Sequence, residues 1–559
     1  MVSPNLIKKS ESFLNVSPGT KKLFQLVYGQ KKKGEIQFDD DDTPRIHVSR
    51  IVSRLSFFYE KIRQAVDYDD DHLLRKNATK RILKRYIFIE GVVMDYDSED
   101  ISLKLLTELI QAGYLPNNRV PEVKIHEVAL LLDKYIKLRD YFKRNYAPNF
   151  DLSGRETEEK KRLNDWIMTL AATEIEENLG HDDVKQLIVA NIFEALQRVI
   201  KMPPDLPYQN DLEIQIYLSI CRNYLKLDHE MLSYFVFKYY NNWEEATETD
   251  IAQVAVNLKA IQAATEYQLK HPLIKQIDKI VRRYTLYYTI LFEVISDNPT
   301  KSYENAVSNT KAFVSSIREK CSKTYFKVKN KLWMAGVRSI IYILLTKSVF
   351  VVALEVPMIK FFGEPVNPVS LAVNISFPAV LLFIMILFTK TPDNKNTDKI
   401  IEGIKEITFV ENKKTQPIVL RRPTRRGSII NVFFNLVYSA AFLLVIYWLI
   451  KLLTFVRFNW VSITIFLFFL MFVSFFSFRI KRDVKQYVIT DERETLLGFI
   501  FDLFYMPIVA VGKFMSDNIS KINVFVFALD FIIETPFKVI VGIIEEWTKY
   551  LKERKEDLG

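Results

Sequence analysis

Glycine is scarce in this chain, with 15 in 559 residues. Tight turns and phosphate-cradling loops consume glycine, so its scarcity argues against a β-rich or dinucleotide-binding chain. No GxxxxGK[ST] phosphate loop and no GxSxG nucleophile elbow occurs. Cysteine is scarcer still: Cys221 and Cys321 are the only two. They build neither a disulfide framework nor a zinc set, which fits a reduced, cytosolic setting. The six histidines form no HExxH pair. The opening MVSPNLIKKSESFLN has no apolar core, so no cleaved signal peptide is expected.

What is abundant is apolar: 49% of residues are hydrophobic and 13% aromatic, yet mean hydropathy is only +0.02. That average conceals a charged half followed by an apolar half. Leu332–Ile359 is long enough to cross a bilayer, which takes about 20 residues. Further apolar runs follow at 371–388, 429–453 and 460–478. Of the net charge of +10, +8 lies from Lys331 onward, where 28 Lys and Arg face 20 Asp and Glu. Flanks of membrane helices account for this excess, and nucleic-acid binding is not expected.

Before the first apolar run the pattern is helical. Val128, Leu131, Leu132, Tyr135, Leu138 and Phe142 recur at three- and four-residue spacing within 121–143, with Pro121 placed as a first-turn residue. The same spacing recurs within 183–200 and 272–296. Proline and glycine breaks between such stretches predict roughly eight to ten helices and no strand. After Pro299 neither residue occurs until Gly336. This predicts a helix starting near Ser302 and running into the membrane as a stiff arm, with a kink at Gly336 as the alternative.

The expected class is all-α: an integral membrane protein with a multi-helix N-terminal cytoplasmic domain, a four-helix transmembrane region and amphipathic C-terminal helices. Its expected parts are a flexible tail (1–46), a helical domain (47–330), a transmembrane hairpin (331–390), a basic loop (391–427), a second hairpin (428–480) and interfacial or re-entrant helices (481–559). Lys and Arg concentrate before the first run, in the long loop and after the fourth run. The positive-inside rule therefore puts both termini in the cytoplasm, in a plasma or inner membrane.

Ionisable and amide side chains inside membrane segments are costly, so each is a functional candidate. The set is Lys347, Glu355, Asn374, Asn435, Asp502, Asp530 and Glu534. Glu355 lies near a helix end and can snorkel; Lys347 is expected to form a buried pair, with Glu355 of a neighbouring subunit or a C-terminal carboxylate. Arg421, Arg422, Arg425 and Arg426 precede the third apolar run. They fix topology or meet anionic lipid on the inner face. In the helical half, His126, the dyad His181-Asp182 and Asp228 can be laid on one pattern. It loosely resembles that of HD-type metal phosphohydrolases, and the resemblance implies a metal-dependent hydrolase. Gly180–Asp183 reads more simply as a loop whose Asp caps the next helix. No cofactor is implied by the residues themselves. The leading expectation is a membrane-anchored helical scaffold or assembly protein that binds a protein partner or itself. The alternatives are a channel or transporter using the intramembrane polar residues, and a membrane-bound metal phosphohydrolase.

Overall fold

The computed structural model describes residues 15–35, 44–48, 60, 70–89, 97–145, 155–387, 389, 392–412, 417–423 and 428–489, plus isolated positions 510, 514, 543, 547, 550 and 554. The chain is predominantly helical. In order come α1 (Pro18–Glu35), α2 (Asp71–Lys84), α3 (Ser98–Gln111), α4 (Val123–Asn145), α5 (Arg155–Leu179), α6 (Asp183–Val199), α7 (Leu212–Asn223), α8 (His229–Asn241), α9 (Glu248–Leu269) and α10 (Ile274–Asp297). Then follow α11 (Pro299–Ser308), α12 (Thr310–Phe350), a π turn (Val351–Glu355), α13 (Val356–Phe361), α14 (Pro368–Leu387), α15 (Asn394–Thr408), α16 (Ser428–Phe455) and α17 (Trp460–Lys485). Two compact units result, one built on Lys21–Thr285 with Thr415–Arg421, the other on Leu286–Lys414 and Arg422–Asn523 with Met1–Thr20.

In the first unit, helices α2 to α5 and α7 to α9 pack around one apolar core that includes Leu105, Leu132, Tyr135, Ile167 and Trp243. The helices start where short polar side chains meet orphan backbone N–H groups. Asp182 accepts from Val184 and Lys185, Asp228 from Met231, and Thr247 forms a reciprocal capping box with Asp250. Charge is buried in pairs. Lys76, fully enclosed, donates to Asp228 at 2.6 Å and to Glu230 at 2.7 Å. Burial pushes the Glu230 carboxyl up, but the Lys76 and Lys80 charges outweigh it and hold it down to about 2. The expectation of no strand is corrected in a small way. Ile200–Lys201 and Ile418–Val419 form a two-residue parallel pair, fixing a piece of the long basic loop against this unit. Pro121 sits two residues before α4 and bridges to Arg45, outside the helix it was expected to open.

In the second unit, α12, α14 and α17 pack on one another. Leu332, Ile343, Leu382, Ile386 and Val473 form their shared apolar contact. Among the described residues, three helices are long and apolar enough to cross a membrane: Thr310–Phe361, Pro368–Leu387 and Val432–Phe455. The stretch Trp460–Met471 at the start of α17 is apolar but shorter. The first of these starts at Thr310, not near Ser302. Asn309 breaks the chain out of helical geometry, and its side chain accepts from the Ala312 N–H to start α12. From there the helix passes Gly336 without a break. The 52 residues to Phe361 make a rod of about 78 Å at ~1.5 Å per residue. Gly336 serves packing instead of bending: a Cβ there would collide with Ile386 of α14. Gly403 of α15 likewise lies against the Tyr287 ring.

The segment expected to be a flexible tail is partly ordered. Pro18–Glu35 is helical, with Leu23, Phe24 and Val27 buried. Ahead of it, Val16 pairs with Phe409, and the Ser17 and Thr20 hydroxyls donate to the Ile407 carbonyl at 2.9 and 3.1 Å. Those hydroxyls satisfy a carbonyl left open by the end of α15. Asp502, Asp530, Glu534, Arg425 and Arg426 lie outside the described residues, as does nearly all of the segment expected to form C-terminal amphipathic helices.

Candidate functional site

Lys347 and Glu355 are eight residues apart on one continuous helical path. In a regular α-helix the residue seven positions further on falls nearly in line with the starting one, and the residue eight positions on lies about 80° around. The π turn at Val351–Glu355 widens the helix by one residue, so Glu355 takes the in-line place. Its cause is local. Pro357 has no N–H and its ring would meet the carbonyl four residues back; the wider turn accommodates both.

The side chains thus aligned enter the interior of the bundle. Lys347, Glu355 and Asn374 are fully buried and Ser462 is 1% exposed. Glu355 Oε1 accepts from Asn374 Nδ2 of α14 at 2.6 Å and from Ser462 Oγ of α17 at 2.6 Å. The second carboxylate oxygen, Oε2, lies 3.9 Å from Lys347 Nζ. The same ammonium sits 3.9 Å from the centroid of the Phe469 ring of α17, where the ring's negative face adds to the attraction. Lys347 Nζ, Glu355 Oε2 and Asn374 Oδ1 have no hydrogen-bond partner. Around this centre Ile359, Val461 and Ile465 form an apolar wall, with Phe350 and Leu371 packed against it.

Chemically the centre is a net-neutral couple of one amine and one carboxyl group, held at non-bonded distance and tied to three helices. Lys347 therefore pairs with Glu355 of its own chain, not with a neighbouring subunit, and Glu355 is enclosed instead of snorkelling. Sequence reading missed Ser462 and Phe469. Serine and phenylalanine are ordinary in apolar helices, and only the packing of α17 gives them their roles. Asn435 lies exposed on α16, and Arg421 and Arg422 are exposed ahead of it.

The residues that resemble a phosphohydrolase pattern have other partners. His126 contacts Glu99 at 2.9 Å, and His181 contacts Asp183 and Gln186. Asp182 and Asp228 cap helices, and Asp228 also holds Lys76. Among the described residues no three His, Cys, Asp or Glu side chains group as a metal site. Comparison with protein-family models, with characterised proteins and with solved structures yields no match.

Proposed function

We propose that the chain is a membrane-anchored helical scaffold or assembly protein, with its membrane bundle as anchor and its helical unit as the interaction domain. The observation that carries this reading is the closure of the polar centre. Glu355 reaches two other helices, Lys347 rests against Glu355 and a ring, and neither side chain reaches the surface. A centre closed this way fixes the register of three helices in a medium where apolar burial gives no drive to associate. On the helical unit, Tyr239, Tyr240 and Tyr267 are each more than half exposed. Gln268 donates to the Tyr240 hydroxyl at 3.2 Å, which brings the end of α9 beside that of α8. Tyrosine concentrated on one surface is the composition of a protein interface. The bundle is read as four crossings, with α17 as the fourth, both termini and the basic loop on the inner side, and anionic lipid as a second partner.

A transport reading is favoured by one feature, the three unpartnered polar atoms at Lys347, Glu355 and Asn374. Ion or proton flux into liposomes carrying the full chain separates the two. The scaffold reading predicts flux equal to that of empty liposomes. Flux that vanishes in Lys347→Ala would establish transport in its place.

A further inference from the structure

Residues 417–421 of the basic loop lie as a strap on the helical unit. The Leu420 N–H donates to the Lys201 carbonyl at 3.0 Å, and the Leu420 side chain is 3% exposed. Next to it the Gln276 side chain grips the Arg421 backbone on both sides: its Nε2 donates to the carbonyl at 2.9 Å, and its Oε1 accepts from the N–H at 3.0 Å. The strap is therefore held by backbone bonds and a buried plug, and the Arg421 side chain is left exposed.

The helix that grips it is basic on its outer face. Lys275, Lys279 and Arg282 are exposed and stand at four- and three-residue spacing along α10, hence on one side of it. Asp278, the one acid between them, turns the other way: Arg222 and Ser219 of α7 hold its Oδ1 at 2.8 and 2.6 Å, and it is largely enclosed. Lys201, across the strand pair, is exposed too. Only six residues separate Arg421 from Ser428, where the apolar helix α16 starts. A fully extended chain spans at most about 3.6 Å per residue, so the chain length alone keeps the Arg421 backbone within about 25 Å of the first residue of that apolar helix.

We propose that Lys275, Lys279, Arg282 and the strapped Arg421 form a binding surface for anionic phospholipid headgroups. A phosphate-bearing bilayer surface is the anion that the short tether brings within reach. The Gln276 bonds fix the Arg421 backbone beside α10 before lipid arrives, which lowers the ordering cost of binding. Each Lys or Arg near an anionic surface favours binding about fivefold. The inference rests on membrane anchoring and not on the scaffold reading, so either can fail alone.

The test uses the full chain, extracted in mild detergent, re-lipidated with equal phosphatidylcholine and phosphatidylglycerol, and analysed for retained lipid by native mass spectrometry. The unchanged chain is expected to retain phosphatidylglycerol in preference. K275Q/K279Q/R421Q, all exposed positions, is expected to lose that preference by tenfold or more. Gln276→Ala keeps every charge but releases the strap, and should lose part of it. K137Q/K185Q/K259Q removes the same charge elsewhere on the helical unit and should lose none. Equal retention by the first variant and the unchanged chain would overturn the proposal. So would an equal loss in the control variant, or nuclease-sensitive material in place of lipid.

Discussion

Lys347 and Glu355 neutralise each other inside an apolar bundle, so replacing either alone strands a charge where water cannot reach it. Lys347→Met leaves the Glu355 carboxylate with its two donors but no counter-charge. Glu355→Gln keeps an acceptor oxygen for Asn374 and Ser462 but leaves the ammonium facing only the Phe469 ring. Breaking a buried pair from one side costs ~3–5 kcal/mol, whereas replacing both members by neutral groups of similar size is often neutral. At ~2–4 °C per kcal/mol for a body of this size, each single variant should melt roughly 10 °C lower in detergent. K347M/E355Q should recover most of that loss. The two single losses sum to ~6–10 kcal/mol while the double variant loses little, so the coupling energy that a double-mutant cycle reads should be on the order of 6 kcal/mol or more. The reasoning is refuted if the two single losses are each under about 1 kcal/mol or if they simply add in the double variant.

Three further outcomes follow from the packing and the charges. Gly403→Ala drives a methyl into the rigid Tyr287 ring and should cost ~1–3 kcal/mol by thermal melting. In Gly336→Ala the obstacle is the movable end of Ile386, and the ~1 kcal/mol gain in helix propensity should nearly cancel the clash. The Glu230 carboxyl is held near 2 in the folded chain, below its unfolded value of about 4.3. Its contribution is therefore complete above about pH 5 and is lost as pH falls from there toward 2. Thermal melts across that window should show a shallower acid slope in Glu230→Gln than in the unchanged chain.

The helices of both units were legible because periodic apolar stripes and polar caps are local signals. Asp182 was readable as a cap from its place before Asp183–Val199, and it is one. The start of α12 was not, because Asn309 stops α11 with neither proline nor glycine; its break lies in a backbone angle. The unbroken run through Gly336 was the leading expectation and the kink its alternative; that Gly336 is a contact point was not legible, being a property of Ile386 as much as of the glycine. The polar centre was half legible. Lys347, Glu355 and Asn374 stood out because they are costly in an apolar run. Their assembly depends on the π turn, which shifts every later side chain by one position, and on Ser462 and Phe469 from more than a hundred residues away. The strap at 417–421 left no trace in the pattern, since two residues of strand are too short to alternate.

The scaffold reading makes its sharpest claim about company. Native mass measurement of the full chain, released from its own membrane in lipid nanodiscs, tests that claim. The account predicts a defined complex above the 65.6 kDa of one chain, with a second copy or one stable partner. It predicts that Y239A/Y267A, which alters only exposed side chains, releases the single chain. A mass of one chain with no partner under the mildest release would contradict the account.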